Sequence, residues 1–238
     1  MIRPIVLFTL AVSATAIAAC GGATSTTTSQ PEPTTAAVTE TSAPQTADKA
    51  GAKLTCTPVS QPTPKGPQSL PVPTLTLDPA KVWTAEVKTN CGDFTITLAA
   101  KLAPKTSASF ASLSQKGFYD GLIFHRIVDG FVAQGGDPLG SGQGGPGYSV
   151  VEAPAADQTY TRGVVAMAKT SAEAPGTSGS QFFIVTAPDA GLPPEYALAG
   201  QVTKGQGVVD LIGSVPTDPN TESPLSAVVI EKVTIKSS

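Results

Sequence analysis

The sequence predicts a mainly β protein: a closed antiparallel barrel of eight strands that is capped by two α-helices. Three features of residues 81–238 lead to this prediction. Short segments of alternating β-branched or aromatic residues recur, turns rich in Gly, Pro, Asn and Asp separate them, and two further stretches have helical spacing. A closed barrel uses all of these elements and leaves no sheet edge exposed.

Eight segments have the length and alternation of strands. Along the chain they are residues 83–88, 93–98, 124–128, 131–134, 163–168, 181–186, 197–203 and 227–236. Within the sixth segment, alternation places Gln181 and Phe183 on one face and Phe182 and Ile184 on the other. We therefore expect Phe182 to lie in the barrel core.

Two helices are predicted from their ends and from the spacing of their apolar residues. The first begins at Pro104, since proline suits the first helical position, carries Phe110 and Leu113 on one face, and ends near Gly117. The second covers residues 206–212, where four apolar residues precede a glycine. We expect one helix to cover each mouth of the barrel.

Charge and composition narrow the functional classes. The 238 residues include 15 Lys and Arg against 18 Asp and Glu, which gives a formal net charge of −3, and they contain no block of basic residues. This argues against a nucleic-acid partner, which would require a basic patch. One His and three Cys do not make a zinc-type ligand cluster, so we expect no metal.

Residues 1–19 have the layout of a secretory signal peptide. Arg3 precedes an apolar stretch that starts at Ile5, and small residues follow up to Cys20. Residues 17–20 resemble the bacterial lipobox, in which a peptidase cuts before the cysteine and the thiol carries a diacylglyceryl group. We expect the mature protein to be anchored to the extracytoplasmic face of the cell membrane through Cys20, or shed from it. A plain secretory signal and an uncleaved anchor helix are the alternatives.

Residues 20–80 are predicted to form a largely disordered spacer. Thr, Ser, Ala and Pro dominate this stretch, and residues 21–82 contain no aromatic side chain. Without periodic apolar residues, such a segment cannot offset the entropy of ordering its backbone. The folded domain is therefore expected to cover residues 81–238.

Cys56 lies in the spacer and Cys91 at the start of the folded part. If the chain is exported, both cysteines enter an oxidising compartment, where disulfides form. With Cys20 acylated, Cys56 and Cys91 are the remaining pair. A disulfide between them would pack the end of the spacer on the domain, and two unpaired thiols are the alternative.

The segment 140–145 matches the G-x-G-x-x-G pattern of dinucleotide-binding loops. That pattern requires a helix directly after the loop. Pro146 and Gly147 follow instead, so we interpret the segment as part of a glycine-rich loop.

Ser178 or Ser180 is a candidate nucleophile of a serine hydrolase, with His125 as the base. Their flanking residues do not match the G-x-S-x-G elbow of hydrolases. Strand alternation also places His125 on the face opposite Phe124 and Arg126. We therefore expect His125 to be a packed or surface residue rather than a catalyst.

Short motifs throughout residues 83–235 resemble those of one family, the cyclophilins. In chain order, these motifs are Pro104-Lys105-Thr106, FHRIV at 124–128, GFVAQGGD at 130–137, GVVAMA at 163–168 and GSQFFI at 179–184. Their order along the chain also matches the family. The resemblance implies an eight-stranded barrel with two helices and peptidyl-prolyl cis–trans isomerase activity, without a cofactor.

The same resemblance implies Arg126 as the catalytic residue. The substrate-binding residues that it implies are Phe131, Val132, Phe183 and Leu192 around the proline ring, Gln134 and Gln181 on the substrate backbone, and Ala168, Lys169, Thr170 and Tyr196 along the peptide groove. Proline-containing polypeptides would be the partners. Cyclophilin-like domains are often monomers, so we expect a monomer.

Three positions depart from the common family pattern. Lys169 stands where many cyclophilins have Asn, Gly191 stands where Trp is common, and Tyr196 stands where His is frequent. None of them supplies the hydrogen-bond donor assigned to Arg126. We therefore expect catalysis to survive these changes.

The sequence thus predicts a prolyl isomerase that acts on X-Pro bonds of exported proteins outside the cytoplasmic membrane. The main alternative is a proline-peptide-binding or chaperone module with little catalysis. A solute-binding lipoprotein is a third hypothesis, since it would share the anchor and the spacer. It would require two lobes, whereas the sequence predicts one barrel.

Overall fold

The computed structural model describes residues 54–238 of the chain. The barrel strands are β1 Trp83–Thr89, β2 Gly92–Leu98, β3 Leu122–Val128, β4 Val132–Gly135, β6 Val164–Met167, β8 Phe182–Val185, β9 Leu198–Lys204 and β10 Val229–Ser237; the helices are α1 Pro104–Gln115 and α2 Gln206–Gly213. The strands close in the order β1-β10-β3-β4-β8-β6-β9-β2, with every neighbouring pair antiparallel. The predicted fold, a closed eight-stranded antiparallel barrel with two helices, is confirmed.

Strands β5 (Val150–Val151) and β7 (Thr177–Ser178) form a separate two-stranded sheet that the sequence did not predict. Two residues are too few to carry an alternating pattern. The pairing joins the segment that follows the glycine-rich loop to the segment that leads into β8.

Both helices bury their apolar residues against the barrel interior. Phe110 of α1 stacks on Tyr119 with ring centroids 4.9 Å apart, and it meets Phe182 of β8 edge-on at 5.7 Å. Val209 and Ile212 of α2 belong to the same buried cluster. Aromatic contacts of this kind add to the stabilisation that comes from burial alone.

Strands β4, β6 and β8 are apolar on both of their faces. Side chains that point into the barrel belong to the main core: Ala133, Val165, Phe182 and Ile184. The alternate side chains form a second apolar cluster on the outer face: Val132, Ala166, Phe183 and Val185. This division follows from the two-residue period of a strand, and it confirms the prediction that Phe182 lies in the core.

Residues 54–80, which we call the strap, contain no helix or strand and lie against the barrel. Leu77 is buried in the main core, and Leu70 and Leu75 pack against that core. The structure therefore differs from the predicted domain boundary at residue 81. The physical reason is that three leucines near the end of the strap bury apolar area, although the average composition of the spacer is polar.

A disulfide and backbone hydrogen bonds attach the start of the strap to the barrel. Cys56 is bonded to Cys91, 35 residues further along the chain, so the predicted disulfide is present. Next to it, the Thr57 N–H donates to the Asn90 carbonyl at 2.7 Å, and the Asn90 side-chain amide donates to the Thr57 carbonyl at 2.8 Å. The strap is thus held at this end by one covalent and two polar contacts.

The predicted signal peptide, residues 1–19, and the predicted lipidation site Cys20 lie outside the described residues, as does the spacer up to residue 53. In residues 54–238, no helix has both the length and the apolar character needed to cross a membrane. The export and anchoring predictions therefore rest on sequence alone.

We predict that removal of the disulfide destabilises the domain without opening the barrel. For a closed loop of 35 residues, the chain-entropy relation gives a loss of about 3 to 4 kcal/mol in the free energy of unfolding. The double variant Cys56→Ser/Cys91→Ser, unfolded in urea, measures this loss. The same loss should appear when the wild type is reduced, and an unchanged midpoint in both experiments would contradict the prediction.

Candidate active site

A β-bulge in β3 sets the direction of Arg126. The register between β3 and β4 shifts, so that Phe124 pairs with Gly135 and Arg126 pairs with Gln134. Phe124 is buried in the main core, whereas Arg126 lies on the outer face with Gln134. The expectation from alternation that Phe124 and Arg126 share a face is wrong, because a bulge inserts one unpaired residue and re-aims the next side chain.

His125 is the extra residue of this bulge, and its side chain is buried beside Gly142 of the glycine-rich loop. Neither ring nitrogen has a hydrogen-bond partner among the described residues. Burial lowers the pKa of His125; Asp137 acts in the opposite direction and Arg126 in the same direction as burial. His125 is thus a packed, neutral residue at neutral pH, as expected.

Ser178 and Ser180 are also buried, and their hydroxyl groups donate to backbone carbonyls. Ser180 Oγ donates to the Gly136 carbonyl at 2.7 Å, and Ser178 Oγ donates to the Val150 carbonyl at 3.4 Å. In the described part of the chain neither hydroxyl contacts a histidine. The serine–histidine contact that a hydrolase requires is therefore absent there.

The Arg126 guanidinium forms an ion pair with Glu222, which lies in the loop between α2 and β10. Arg126 Nε donates to Glu222 Oε2 at 2.6 Å, and the side chains are 36% and 43% exposed. An exposed pair of this kind contributes little to stability. It uses Nε alone, so the two Nη groups have no partner within residues 54–238.

Gln134 and Gln181 form a hydrogen-bonded pair next to Arg126. Gln134 Nε2 donates to Gln181 Oε1 at 3.0 Å. Gln181 Nε2 in turn donates to the carbonyls of Gly142 and Gly144 at 3.0 and 2.8 Å. This network fixes the orientation of both side-chain amides and connects the start of β8 to the glycine-rich loop.

The buried Asp137 carboxylate organises the glycine-rich loop. It accepts hydrogen bonds from the backbone N–H groups of Leu139, Ser141 and Gly142 at 2.7, 2.9 and 2.5 Å. Three such bonds compensate for the burial of a charged group. The loop therefore has a defined conformation where Gln181 contacts it.

The outer apolar cluster contains the residues that the family resemblance assigned to the proline ring. Phe131, Leu192 and Tyr196 pack around the strand residues Val132 and Phe183. The Tyr196 ring meets the Phe183 ring edge-on, with centroids 5.4 Å apart. Aromatic edges and aliphatic side chains together form an apolar surface of the size of a small ring.

Tyr160 supports this cluster from beneath and was missed by the sequence analysis. Its ring is 1% exposed. Its hydroxyl donates to the Tyr196 carbonyl at 2.6 Å and accepts from the Tyr196 N–H at 2.9 Å. Tyr160 therefore fixes the backbone of Tyr196, a contact over 36 residues that no local pattern signals.

Lys169 does not present its charge to the groove. Its side chain is 4% exposed; Nζ lies 3.0 Å from Glu195 Oε2 and 5.5 Å from the centre of the Tyr196 ring. The next residue, Thr170, donates its N–H to Glu173 Oε2 at 2.6 Å. Lys169 stands where Asn is common, and its positive charge is thus compensated by Glu195.

A cavity of about 640 Å³, which we call the groove cavity, adjoins the Gln134–Gln181 pair. Its walls are the glycine-rich loop, the segment around Lys169 and two strap residues, Pro67 and Gln68. Polar and apolar groups both line it. Its size and its position between three chain segments suit a stretch of peptide.

The predicted site residues lie on one outer surface of the barrel. Phe131, Val132, Phe183, Leu192 and Tyr196 belong to the outer apolar cluster, and Gln134, Ala168, Lys169, Thr170 and Gln181 line the groove cavity. Arg126 lies beside Gln134. Sequence reasoning missed Tyr160, Glu222 and the strap residues, because each reaches this surface through contacts between distant parts of the chain.

An outer barrel surface that combines an apolar cluster with a groove cavity is suited to a protein that binds peptides. Comparison with known proteins narrows this class: the sequence profile described as "Cyclophilin type peptidyl-prolyl cis-trans isomerase/CLD" matches residues 84–235. The chain belongs to this family, and it is a peptidyl-prolyl cis–trans isomerase.

Named relatives and solved structures agree with this assignment. The chain is 41% identical over 170 residues to "Peptidyl-prolyl cis-trans isomerase B" of Streptomyces anulatus, which covers 64% of this chain and 95% of that protein. It is 38% identical over 179 residues to "Probable peptidyl-prolyl cis-trans isomerase A" of Mycobacterium bovis, covering 68% of this chain and 96% of the relative.

Among solved structures, a cyclophilin type peptidyl-prolyl cis-trans isomerase of Cryptosporidium parvum is similar, with a TM-score of 0.61 and 32% identity over 66% of this chain and 99% of that one. The structure of the same protein in the presence of the dipeptide Ala-Pro has a TM-score of 0.60, at 33% identity, and covers 65% and 99% of the two chains.

Proposed function

We propose that this isomerase acts on X-Pro bonds of exported proteins, outside the cytoplasmic membrane, with Arg126 as the catalytic residue. The observation that carries the assignment of Arg126 is its position. The bulge in β3 directs a guanidinium with two unpaired Nη groups to the outer face, beside the Gln134–Gln181 pair. A planar donor of this type is suited to stabilise a substrate amide in one defined orientation.

The chemistry that such an enzyme must perform is a rotation, and no bond is broken. Amide resonance opposes rotation of an X-Pro bond with a barrier of roughly 18–20 kcal/mol. When the bond is twisted, the prolyl nitrogen becomes pyramidal and exposes a lone pair. An Arg126 Nη–H that donates to this lone pair binds the twisted amide more tightly than the planar one, which lowers the barrier.

Orientation of the substrate requires two further contacts. The proline ring would pack on the outer apolar cluster around Phe131, Val132, Phe183 and Leu192. The backbone next to the ring would hydrogen-bond to Gln134 and to the segment around Ala168. Because the glycine-rich loop holds the Gln181 amide and Gln181 holds the Gln134 amide, little side-chain entropy is lost on binding.

Action outside the membrane is proposed from the sequence of residues 1–20 and supported by the disulfide. An apolar segment behind Arg3 and the lipobox-like residues before Cys20 are typical of bacterial lipoproteins. The Cys56–Cys91 disulfide fits an oxidising compartment. Two acyl chains on Cys20 would anchor the protein stably, which one chain does only marginally.

We predict that Arg126→Ala lowers kcat/KM for an X-Pro peptide by about 100-fold or more, because the donor to the twisted amide is lost. The measurement is cis–trans exchange by NMR, with circular dichroism to verify folding. Arg162→Ala is the matched control, since Arg162 is an exposed arginine that also has an acidic partner, Asp210, away from the groove. It should leave the rate unchanged.

Two results would decide against this assignment. A folded Arg126→Ala protein that keeps wild-type activity would remove Arg126 from the mechanism. A wild type that binds proline peptides but leaves the exchange rate unchanged would favour the proline-peptide-binding module instead.

We predict that the mature protein carries a diacylglyceryl group on Cys20 and fractionates with membranes. Mass spectrometry of the N-terminal peptide checks the modification, which Cys20→Ala should abolish. An unmodified Cys20 in a membrane-free wild type would contradict the lipid anchor but would leave the isomerase assignment intact.

A further inference from the structure

We propose that the strap forms one wall of the peptide-binding site and that Pro67 and Gln68 contact substrate residues next to the X-Pro pair. The groove cavity that these two residues line also contains Gln134 and Gln181. A peptide whose proline lies on the outer apolar cluster would therefore continue into this cavity. This inference rests on the proposed function and concerns which substrates the site prefers.

The strap is attached directly to the glycine-rich loop, which forms the adjoining wall of the groove cavity. The Lys65 N–H donates to the Pro138 carbonyl at 2.9 Å, and the Leu70 N–H donates to the Pro146 carbonyl at 2.8 Å. The residues between them, which include Pro67 and Gln68, are thus held at both ends against the glycine-rich loop. Fixed walls of this kind reduce the entropy that is lost when a ligand binds.

Gly147 allows the strap and the loop to approach closely. Its φ of +89° lies in the left-handed region, and a Cβ at this position would be 2.6 Å from the Ser69 Cα. Any other residue would therefore push the strap away. On the other side, Lys65 Nζ donates to the carbonyls of Gly117 and Phe118, each at 2.9 Å.

The two strap residues supply one apolar and one polar group. Pro67 is an exposed apolar residue, whereas Gln68 is half-buried. Gln68 Nε2 donates to the carbonyls of Lys65 and Gly66, at 3.3 and 3.1 Å, while Oε1 has no donor within residues 54–238. Gln68 Oε1 is therefore available to accept a hydrogen bond from a bound peptide.

The charges around the groove cavity favour hydrogen-bond donors and basic groups on the substrate, and they disfavour anionic groups. Lys169 is paired with Glu195, so its positive charge is compensated. Glu173 also lines the cavity, and its carboxylate accepts hydrogen bonds from the N–H and the hydroxyl of Thr170 but has no cationic partner among residues 54–238. Substrate residues near the proline should therefore be neutral donors or basic side chains.

The test compares a short substrate with a long one. The short peptide is acetyl-Ala-Pro-amide, and the long peptide adds three residues on each side of Ala-Pro, with lysine or glutamate among them. In Gln68→Ala, the ratio of kcat/KM for the long lysine peptide to that for the short peptide should fall about threefold to fivefold. The strap variant Ser60→Ala, at an exposed residue outside the cavity, is the control.

An unchanged ratio in Gln68→Ala would overturn the inference while leaving the isomerase activity in place. Equal rates for the long lysine and glutamate peptides in the wild type would contradict the proposed charge preference. If the wild type accelerates neither the short nor the long peptide, the proposed function fails, which is a different outcome from failure of the strap wall.

The ion pair between Arg126 and Glu222 supports a second, independent inference. We infer that Glu222 is a positioning residue for the Arg126 guanidinium. Glu222 has a φ of +57°, the one positive value among the non-glycine residues of the described chain. Residues other than glycine rarely adopt this backbone conformation, and it persists only where surrounding contacts impose it. The turn thus holds the Glu222 backbone in one conformation, from which the carboxylate reaches Arg126 Nε.

Backbone contacts fix Glu222 against the strand that carries Arg126. The Glu222 carbonyl accepts from the Ile127 N–H at 2.9 Å, and the Glu222 N–H donates to the Asp218 carbonyl at 2.8 Å. Glu222 is therefore held by both backbone and side chain beside the residue pair Arg126 and Ile127. Because the carboxylate binds Nε, it orients the two Nη groups without occupying them.

The experiment uses two substitutions of Glu222. Glu222→Ala should lower kcat about tenfold with little change in KM, because the guanidinium is then less well placed for the twisted amide. Glu222→Gln keeps an oxygen that accepts from Nε and should recover most of the rate. The NMR signal of Arg126 Nε–H should shift in Glu222→Ala and stay near its wild-type position in Glu222→Gln.

Glu231→Ala, which removes an exposed carboxylate from β10, is the control for charge alone. A Glu222→Ala protein as active as the wild type, or more active, would overturn the inference, since Glu222 would then be neutral or would compete with substrate. The loss of activity in Arg126→Ala does not depend on this result, so failure here is distinct from failure of the proposed function.

Discussion

Alternation of side chains along β4, β6 and β8 is the constraint on which the rest of the molecule depends. The same strands supply the main core through residues such as Ile184 and the outer apolar cluster through neighbours such as Phe183. A shift of one residue in the register of these strands would exchange their two faces. Neither the main core nor the outer apolar cluster would then form. Close packing of the core therefore also fixes the outer apolar cluster, the surface proposed to receive the proline ring.

The polar part of the site is built on departures from this regularity. The bulge at His125 interrupts the alternation and turns Arg126 outward while Phe124 stays in the core. Buried Asp137 then holds the glycine-rich loop through three backbone N–H groups, and Gln181 links that loop to Gln134. The rigid barrel thus positions donors that lie on irregular backbone.

Much of this could be predicted from the sequence, because the responsible signals are local. The alternation in residues 181–186 correctly separated Phe182 from Phe183, and Pro104 correctly marked the start of a helix. The bulge could not be predicted, since its cause is the pairing of β3 with β4. Packing of the strap was expected only as a consequence of the disulfide, because the composition of a long segment conceals a few leucines that are buried by the barrel.

Local alternation and turn residues were enough to predict the class of fold, whereas the residues assigned to the site were implied by the family resemblance of short motifs. The outward direction of Arg126, its contact with Glu222 and the position of the strap in the wall of the groove cavity became known only from the structure. These features are contacts between residues far apart in the chain. They form only when the closed barrel brings those residues together, and no local pattern encodes that proximity.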